Sequence, residues 1–303
     1  MRMLNLLSLF VGIAFFSTGA QAGKTPTRPR AFKVTTFNIQ WYGLGGDMKG
    51  STDAEHRDTF IREFLDQHFP DTDVFAFQEI VDVERLSNLL PDTWTCLTYD
   101  STNPRHQHVV LCHREGLLFL REPGDNNDII DEVASDPNRS RPALRLLVAK
   151  EKGPAFARII TVHLKAFPDQ SQTRLKQVEV LAKSMKGAKV ELPTVILGDF
   201  NAYRSGETKN TEDDKVLMDQ IFKKKGVDLV HVPNPAKNTY RKGYNKEQLD
   251  HIWISSGVQI LDPLRVWSAC NSNPVGKSGF QNIDYYNEHI SDHCPVTVGL
   301  GLN

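Results

Sequence analysis

Eleven stretches of the chain run apolar or β-branched for four to eight residues between Gly, Pro, Asn and Asp, which is the length and composition of strands. They cover residues 33–37, 74–77, 94–99, 109–113, 117–120, 143–149, 157–162, 194–197, 251–254, 260–267 and 295–298. Three segments between them instead space their apolar residues for one face of a helix. Phe60, Ile61, Phe64 and Leu65 follow Asp53, an N-cap candidate. Leu175, Val178 and Leu181 lie between Ser171, a second cap candidate, and Gly187, a stop. Val216, Leu217 and Ile221 follow Thr211 and Asp214, spaced as a capping box, and end at Lys223-Lys224-Lys225-Gly226, cations at a helix C-terminus before a glycine. Many strands with a few interspersed helices predict an α/β (α+β) fold of mixed sheets covered by helices. No linker, repeat or low-complexity tract divides the chain, so a single domain is expected over residues 32–303.

The first residues differ in kind. Arg2, the apolar run Leu4 to Phe16 and the small-residue site Ala20-Gln21-Ala22 form the pattern of a signal peptide over 1–22, followed by a polar leader over 23–31. The apolar run is short for a span of about 20 residues, so no stable membrane association is expected, and the protein is expected to be secreted or periplasmic. Loss of Arg2 shifts the formal charge from −1 to −2, which selects neither for nor against a polyanion. Cys96, Cys112, Cys270 and Cys294 form an even set, read as disulfides in an exported chain. Three connectivities satisfy four cysteines; the local pairs Cys96/Cys112 and Cys270/Cys294, each in neighbouring strand-like runs, are favoured. No C-x-x-C occurs, which disfavours structural zinc.

Candidate chemistry lies at the ends of the strand-like runs. Asn38, Glu79, His163 and the pair Asp199 and Asn201 close four of them, while Asp250-His251 and Asp292-His293 open two others. If the second group runs antiparallel to the first, all of these side chains meet at one edge. A carboxylate at a buried strand end is costly unless a cation or hydrogen bonds compensate it. One such acid reads as a turn or cap; several suggest a shared partner. Oxygen donors without a Cys/His cluster favour Mg²⁺, with Mn²⁺ or Ca²⁺ as alternatives. A histidine steadied by a carboxylate can take a proton from water near neutral pH, and together these parts suit hydrolysis of a phosphate ester. No G-x-S-x-G is present to supply a serine nucleophile.

The segments FNIQWYG, FQEI, SRPAL, TVHLKA, GDFNAY, LDHIWIS and SDHCPV, in that order between Phe32 and Val298, resemble the endonuclease/exonuclease/phosphatase superfamily, which includes pancreatic-type deoxyribonuclease. The resemblance implies a four-layer sandwich of two mixed β-sheets flanked by helices. It implies Glu79 as principal metal ligand with Asn38 and Asp292 beside it, Arg141 as an arginine reaching the phosphate, and Asp199 with Asn201 positioning phosphate and water. His163 and His293 correspond to the catalytic histidines, Asp250 to the carboxylate orienting His293, and Thr239 to a phosphate contact. One feature departs from the family: a glutamate that orients the first histidine is replaced within PRHQH, leaving Gln107, or nothing, as the partner of His163. His251 is expected to point away from the site and serve structure.

The resemblance leaves the substrate open among nucleic acids, sphingomyelin and phosphoinositides. Leu249-Asp250-His251 departs from the Cys-Asp-Arg of phosphoinositide phosphatases, and His163-Leu164-Lys165-Ala166 from the His-x-Gln-Ala of bacterial sphingomyelinases. Tyr285 and Tyr286 make a poor membrane anchor. Arg105, Arg139, Arg141, Lys165, Lys237, Arg241 and Lys242 could ring the edge as phosphate contacts, with Tyr42 near the base or sugar and Trp41 packed in the core. The reading is an exported Mg²⁺-dependent nuclease, acting on DNA first and RNA second with weak sequence preference, a monomer by default. The alternatives are a sphingomyelinase-like phosphodiesterase and a non-catalytic protein that binds nucleic acid.

Overall fold

Thr194–Asp199 (β9) is buried at every position, because both of its faces are covered. Val195 and Leu197 point into the core between two sheets, whereas Ile196 points outward beneath helices. The computed structural model describes residues 30–44, 54–100, 106–122, 128–133, 140–186, 188, 191–273 and 275–302. The expected signal peptide and most of the leader, the cap Asp53, the stop Gly187, and Arg105 and Arg139 lie outside the described residues.

The sheet containing β9 runs β10 (Leu229–His231), β13 (Asp250–Ser255), β9, β8 (Ala155–His163), β7 (Ala143–Lys150) and β5 (Leu117–Leu120), with β6 (Ile129–Ile130) also on β7. The other runs β14 (Gln259–Val266), β15 (Val296–Gly301), β1 (Phe32–Tyr42), β2 (Val74–Ile80), β4 (His108–Arg114) and β3 (Trp94–Leu97). Parallel pairing occurs at β1 with β2 and at β8 with β9, and all other pairs are antiparallel, so both sheets are mixed. A small hairpin, β11 (Tyr240–Lys242) with β12 (Asn245–Glu247), stands apart from them.

Three apolar clusters build four layers. The central one joins Val34, Val74 and Leu111 of one sheet to Leu146, Ile159 and Ile252 of the other. Outside the first sheet, α1 (Ala54–His68), α2 (Val83–Leu89) and α5 (Ile283–His289) pack Ile61, Phe64, Leu86 and Tyr286 on Phe37 and Phe77. Outside the second, α3 (Ser171–Lys186) and α4 (Asp214–Lys224) pack Val178, Leu181, Met218 and Phe222 on Ile160, Ile196 and Trp253. Each such side chain stabilises the fold by about 1.5–3 kcal/mol relative to exposure.

All eleven sequence-predicted strands are present, within one sandwich of the expected layers. Both disulfides are the local pairs: Cys96–Cys112 joins cross-strand neighbours of β3 and β4, and Cys270–Cys294 anchors the chain directly after His293. Two helix starts differ from expectation. Thr211 and Asp214 form no capping box, because Asp213 is the N-cap and Asp214 turns inward to Arg174. Ser171 is already helical, and its hydroxyl donates to Asp214 rather than capping α3. Among the described residues, no helix is long and apolar enough to cross a membrane.

Candidate active site

Strand direction gathers the polar ends. Parallel pairing puts His163 at the end of β8 beside Asp199 at the end of β9, and antiparallel β13 begins with Asp250 opposite the same Asp199. In the other sheet Asn38 pairs with Gln78, next to Glu79. Antiparallel β15 enters from the loop holding Asp292 and His293, and Ser291 fixes that loop by donating to the Asn38 carbonyl at 2.7 Å and accepting from the His293 amide at 3.1 Å. Gly198 makes the approach of β8 and β9 feasible: at φ +150°, a Cβ there would lie 2.1 Å from the Val162 carbonyl oxygen.

Asn38 sits at the junction. Its amide group donates to Glu79 and to Asp199, both at 3.0 Å, and lies 3.5 Å from Nε2 of His293. Glu79 is also held by the Trp41 amide at 3.1 Å and by Gln107 Nε2 at 2.8 Å. The carbonyl oxygen of Gln107 accepts from Arg141, so Gln107 bridges the arginine and the acid. It does not orient His163, whose Nδ1 is buried without a partner, while Nε2 faces Asp199 Oδ2 at 3.4 Å and Glu79 Oε1 at 3.9 Å. Burial, with Arg141 and His293 nearby, holds the His163 imidazole well below its ordinary range, hence neutral.

His293 is the opposite case. Its Nδ1 meets Asp250 Oδ2 at 2.9 Å, as the sequence leads one to expect. Burial alone would depress it, but the charges of Asp250, Asp199 and Asp292 and the hydrogen bond to Asp250 push it up to about 10. Burial together with Asp250 and Glu79 pushes the Asp199 carboxyl up to about 7, against the pull of His293. Asp199 Oδ1 accepts from the Asn201 amide at 2.8 Å, and Asn201 Nδ2 donates to the Leu164 carbonyl at 3.1 Å. Asp292 lies nearer the mouth, 3.3 Å from Lys242 Nζ.

Glu79, Gln107, Arg141, His163, Asp199, Asn201, Asp292 and His293 line one cleft of about 680 Å³ together with Gln40, Trp41, Phe167, Tyr203, Tyr240, Glu207 and Glu247. All five non-glycine residues with positive φ among the described residues line it too: Gln40, Trp41, Glu79, Phe167 and Asn201. Backbone strain of roughly 1–3 kcal/mol per residue persists only where the surroundings impose it, and it concentrates at functional sites.

Several expectations change here. Thr239 is fully buried, and its hydroxyl accepts from the Leu249 and Asp250 amides at 2.9 Å, so it fixes the start of β13 instead of facing phosphate. Trp41 is not core but 38% exposed at the cleft, whereas Tyr42 is buried and donates to Asp58. Arg141, Lys165 and Lys242 line the cleft; Lys237 borders a different pocket, and Arg241 donates to the Ser272 carbonyl. His251 contacts His231 and the Gln248 carbonyl, away from the cleft as expected. Tyr286 is buried, its hydroxyl donating to the His293 carbonyl.

Two sets of side chains are close enough to share a cation: Glu79, His163 and Asp199, and Asp199, Asp250 and His293. The first is the better fit for a hard ion, since it brings two carboxylates, Glu79 and Asp199, to the cleft, whereas in the second Asp250 and His293 are already bonded to each other. Of the sequence-predicted ligands, Glu79 is in this set, Asn38 touches it, and Asp292 stands outside it.

Comparison with known proteins bears on the fold. No curated protein matches the chain in sequence. Among solved structures, an endonuclease/exonuclease/phosphatase family protein from Bacteroides thetaiotaomicron is similar at 18% identity, covering 91% of this chain and 96% of that one with a TM-score of 0.63. A mannosyl-6-phosphatase of Bacteroides thetaiotaomicron VPI-5482 matches at 17% identity over 90% of this chain and 100% of its own, also at 0.63. D. rerio TDP2 complexed with single-strand DNA product matches at 14% identity over 89% and 98%, at 0.58. The sequence profile of the Endonuclease/Exonuclease/phosphatase family covers residues 35–293. The chain therefore belongs to that family and is a hydrolase of phosphate esters.

Proposed function

We propose that this protein is an exported, Mg²⁺-dependent nuclease that hydrolyses phosphodiesters of DNA with weak sequence preference. The observation that carries the reading is the meeting of a carboxylate-held histidine, His293 on Asp250 at 2.9 Å, with Glu79, Asp199, Asn201 and Arg141 in one cleft. Two disulfides suit an oxidising compartment, and a fold neighbour is recorded with a single-strand DNA product.

Arg141 and Asn201 would hold phosphoryl oxygens, Arg141 as a fixed planar cation braced by Gln107. Glu79, with Asp199 beside it, would hold Mg²⁺, which when bound supplies Lewis-acid polarisation of the phosphoryl group. Asp250 fixes the tautomer of His293, leaving Nε2 facing the cleft to take the proton of the attacking water. Asp250 first, with Asp199 and Asp292, raises His293 against its burial, so the negative charge facing it sets how firmly the imidazole holds a proton. Neutral His163 beside Asp199 would hydrogen-bond the phosphate.

His293→Ala and Glu79→Ala should each reduce Mg²⁺-dependent digestion of plasmid DNA by about 10²-fold or more. Full activity in either variant removes the assignment. Parallel assays of the wild type on duplex DNA, single-stranded DNA, RNA and sphingomyelin, with and without chelator, test the substrate; turnover of sphingomyelin alone replaces the reading with that of a lipid phosphodiesterase.

A further inference from the structure

Four of the five left-handed residues of the cleft divide by what their side chains do. Glu79 and Asn201 belong to the reaction centre. Trp41 and Phe167 instead hold aromatic rings at the cleft while remaining 38% and 65% exposed. One lies in the irregular last turn of β1 in the first sheet, between Asn38 and Tyr42, and the other follows the end of β8 in the second. Burial of apolar surface does not account for rings kept in water by a strained backbone.

Each strained turn is bonded to a buried arginine. Arg57 donates to the Ile39, Gln40 and Ile290 carbonyls at 2.6, 2.9 and 2.9 Å, which ties the turn before Trp41 to the loop before His293. Arg174, fully buried, donates to the Lys165 and Phe167 carbonyls at 3.0 and 2.6 Å and is fixed in turn by Asp214. Two rings from separate sheets are thus set rigidly around a cleft that also presents Arg141 and Lys165. Cations for a sugar-phosphate backbone beside fixed aromatic faces are the elements with which proteins bind unpaired nucleotides, whose bases stack on the rings. A duplex keeps its base faces stacked on one another and cannot offer them.

We propose that Phe167, with Trp41 as a second ring, is a base-stacking residue that gives the enzyme a preference for single-stranded over duplex nucleic acid. The proposal rests on the nuclease reading. A bilayer contact is the weaker use of the same rings, because they share the cleft with the acids Glu79, Glu207 and Glu247.

The test measures stacking apart from hydrolysis. In chelator, a single-stranded oligodeoxynucleotide containing 2-aminopurine should lose fluorescence on binding the wild type, and Phe167→Ala should weaken that binding about tenfold, with Phe167→Trp restoring it. With Mg²⁺ present, the same alanine variant should raise KM for single strands about tenfold with kcat within about twofold, and change KM for duplex much less. An oligonucleotide of abasic residues should bind wild type and variant alike. Equal binding of the 2-aminopurine strand by wild type and Phe167→Ala overturns the proposal, as does an equal loss on the abasic strand. Loss in the variant of binding to phosphatidylcholine vesicles, with nucleic-acid binding unchanged, also overturns it in favour of a membrane contact. Phe167-dependent quenching without cleavage of any strand would leave stacking standing and remove the nuclease reading; cleavage with quenching unaffected by Phe167→Ala would do the reverse.

Discussion

Two regions of this molecule bury charge, and they do so in opposite ways. Behind the cleft, Asp214 accepts from Arg174, Ser171, Asn210 and the Tyr203 amide, and every guanidinium nitrogen of Arg174 donates. At the reaction centre, Glu79, Asp199, Asp250 and Asp292 converge on few cations, the Asp199 carboxyl is raised to about 7, and Nδ1 of His163 and Oδ1 of Asp250 have no partner. A closed network with matched charge supports the fold around it. An open one with surplus negative charge is built for something that binds. The contrast therefore separates positions that should affect stability from positions that should affect activity.

Glu79→Ala gives the sharpest separation: activity should fall by orders of magnitude while the unfolding temperature in chelator stays the same or rises, since a crowded carboxylate is removed. A large loss of stability would erase the distinction. Next, Asp214→Ala should cost about 3–5 kcal/mol in denaturant unfolding, because it strands the Arg174 guanidinium in the interior. A smaller cost would mean that the network behind the cleft contributes little. Gln107→Ala should weaken Mg²⁺ binding about 10–100-fold by releasing both Glu79 and Arg141, read by calorimetric titration with the ion.

The smallest effect concerns Glu247. Burial and the neighbouring Glu207 push its carboxyl up to about 7, above the 4.5 of an ordinary glutamate. The folded state thus prefers the protonated form. Its contribution to stability is complete below about 4.5 and is lost as pH rises through about 7. Glu207 is exposed, so the effect should be under about 1 kcal/mol. Unfolding in chelator at a series of pH values should show a shallower decline for Glu247→Gln than for the wild type; identical slopes would exclude the carboxyl as its source.

Much of this was legible in the sequence for a simple reason. Strands covered on both faces are continuous apolar runs, and the polar residues that end them stand out, which is why Asn38, Glu79, His163, Asp199, Asp250 and His293 could be placed at one edge. The short β6, β10, β11 and β12 carry too few residues for a pattern, and α2 and α5 span only two turns each. Asp214 looked like a capping residue because its real partner, Arg174, lies 40 residues away. Gln107 stands out as a departure from the family, but its bonds to Glu79 and Arg141 join three distant segments that no local spacing reveals. Alternation assigns Trp41 to the core, but it breaks at the left-handed Gln40 and Trp41, turning the two aromatic neighbours to opposite fates.

Glu79 and Asp199, from the two sheets, would together hold the cation. The direct measurement is the unfolding temperature of wild type and Glu79→Gln as Mg²⁺ or Mn²⁺ is added to chelator-stripped protein. Wild type should rise by about 5–10 °C at saturating ion and the variant by far less. No rise in the wild type, or an equal rise in both, would contradict the site.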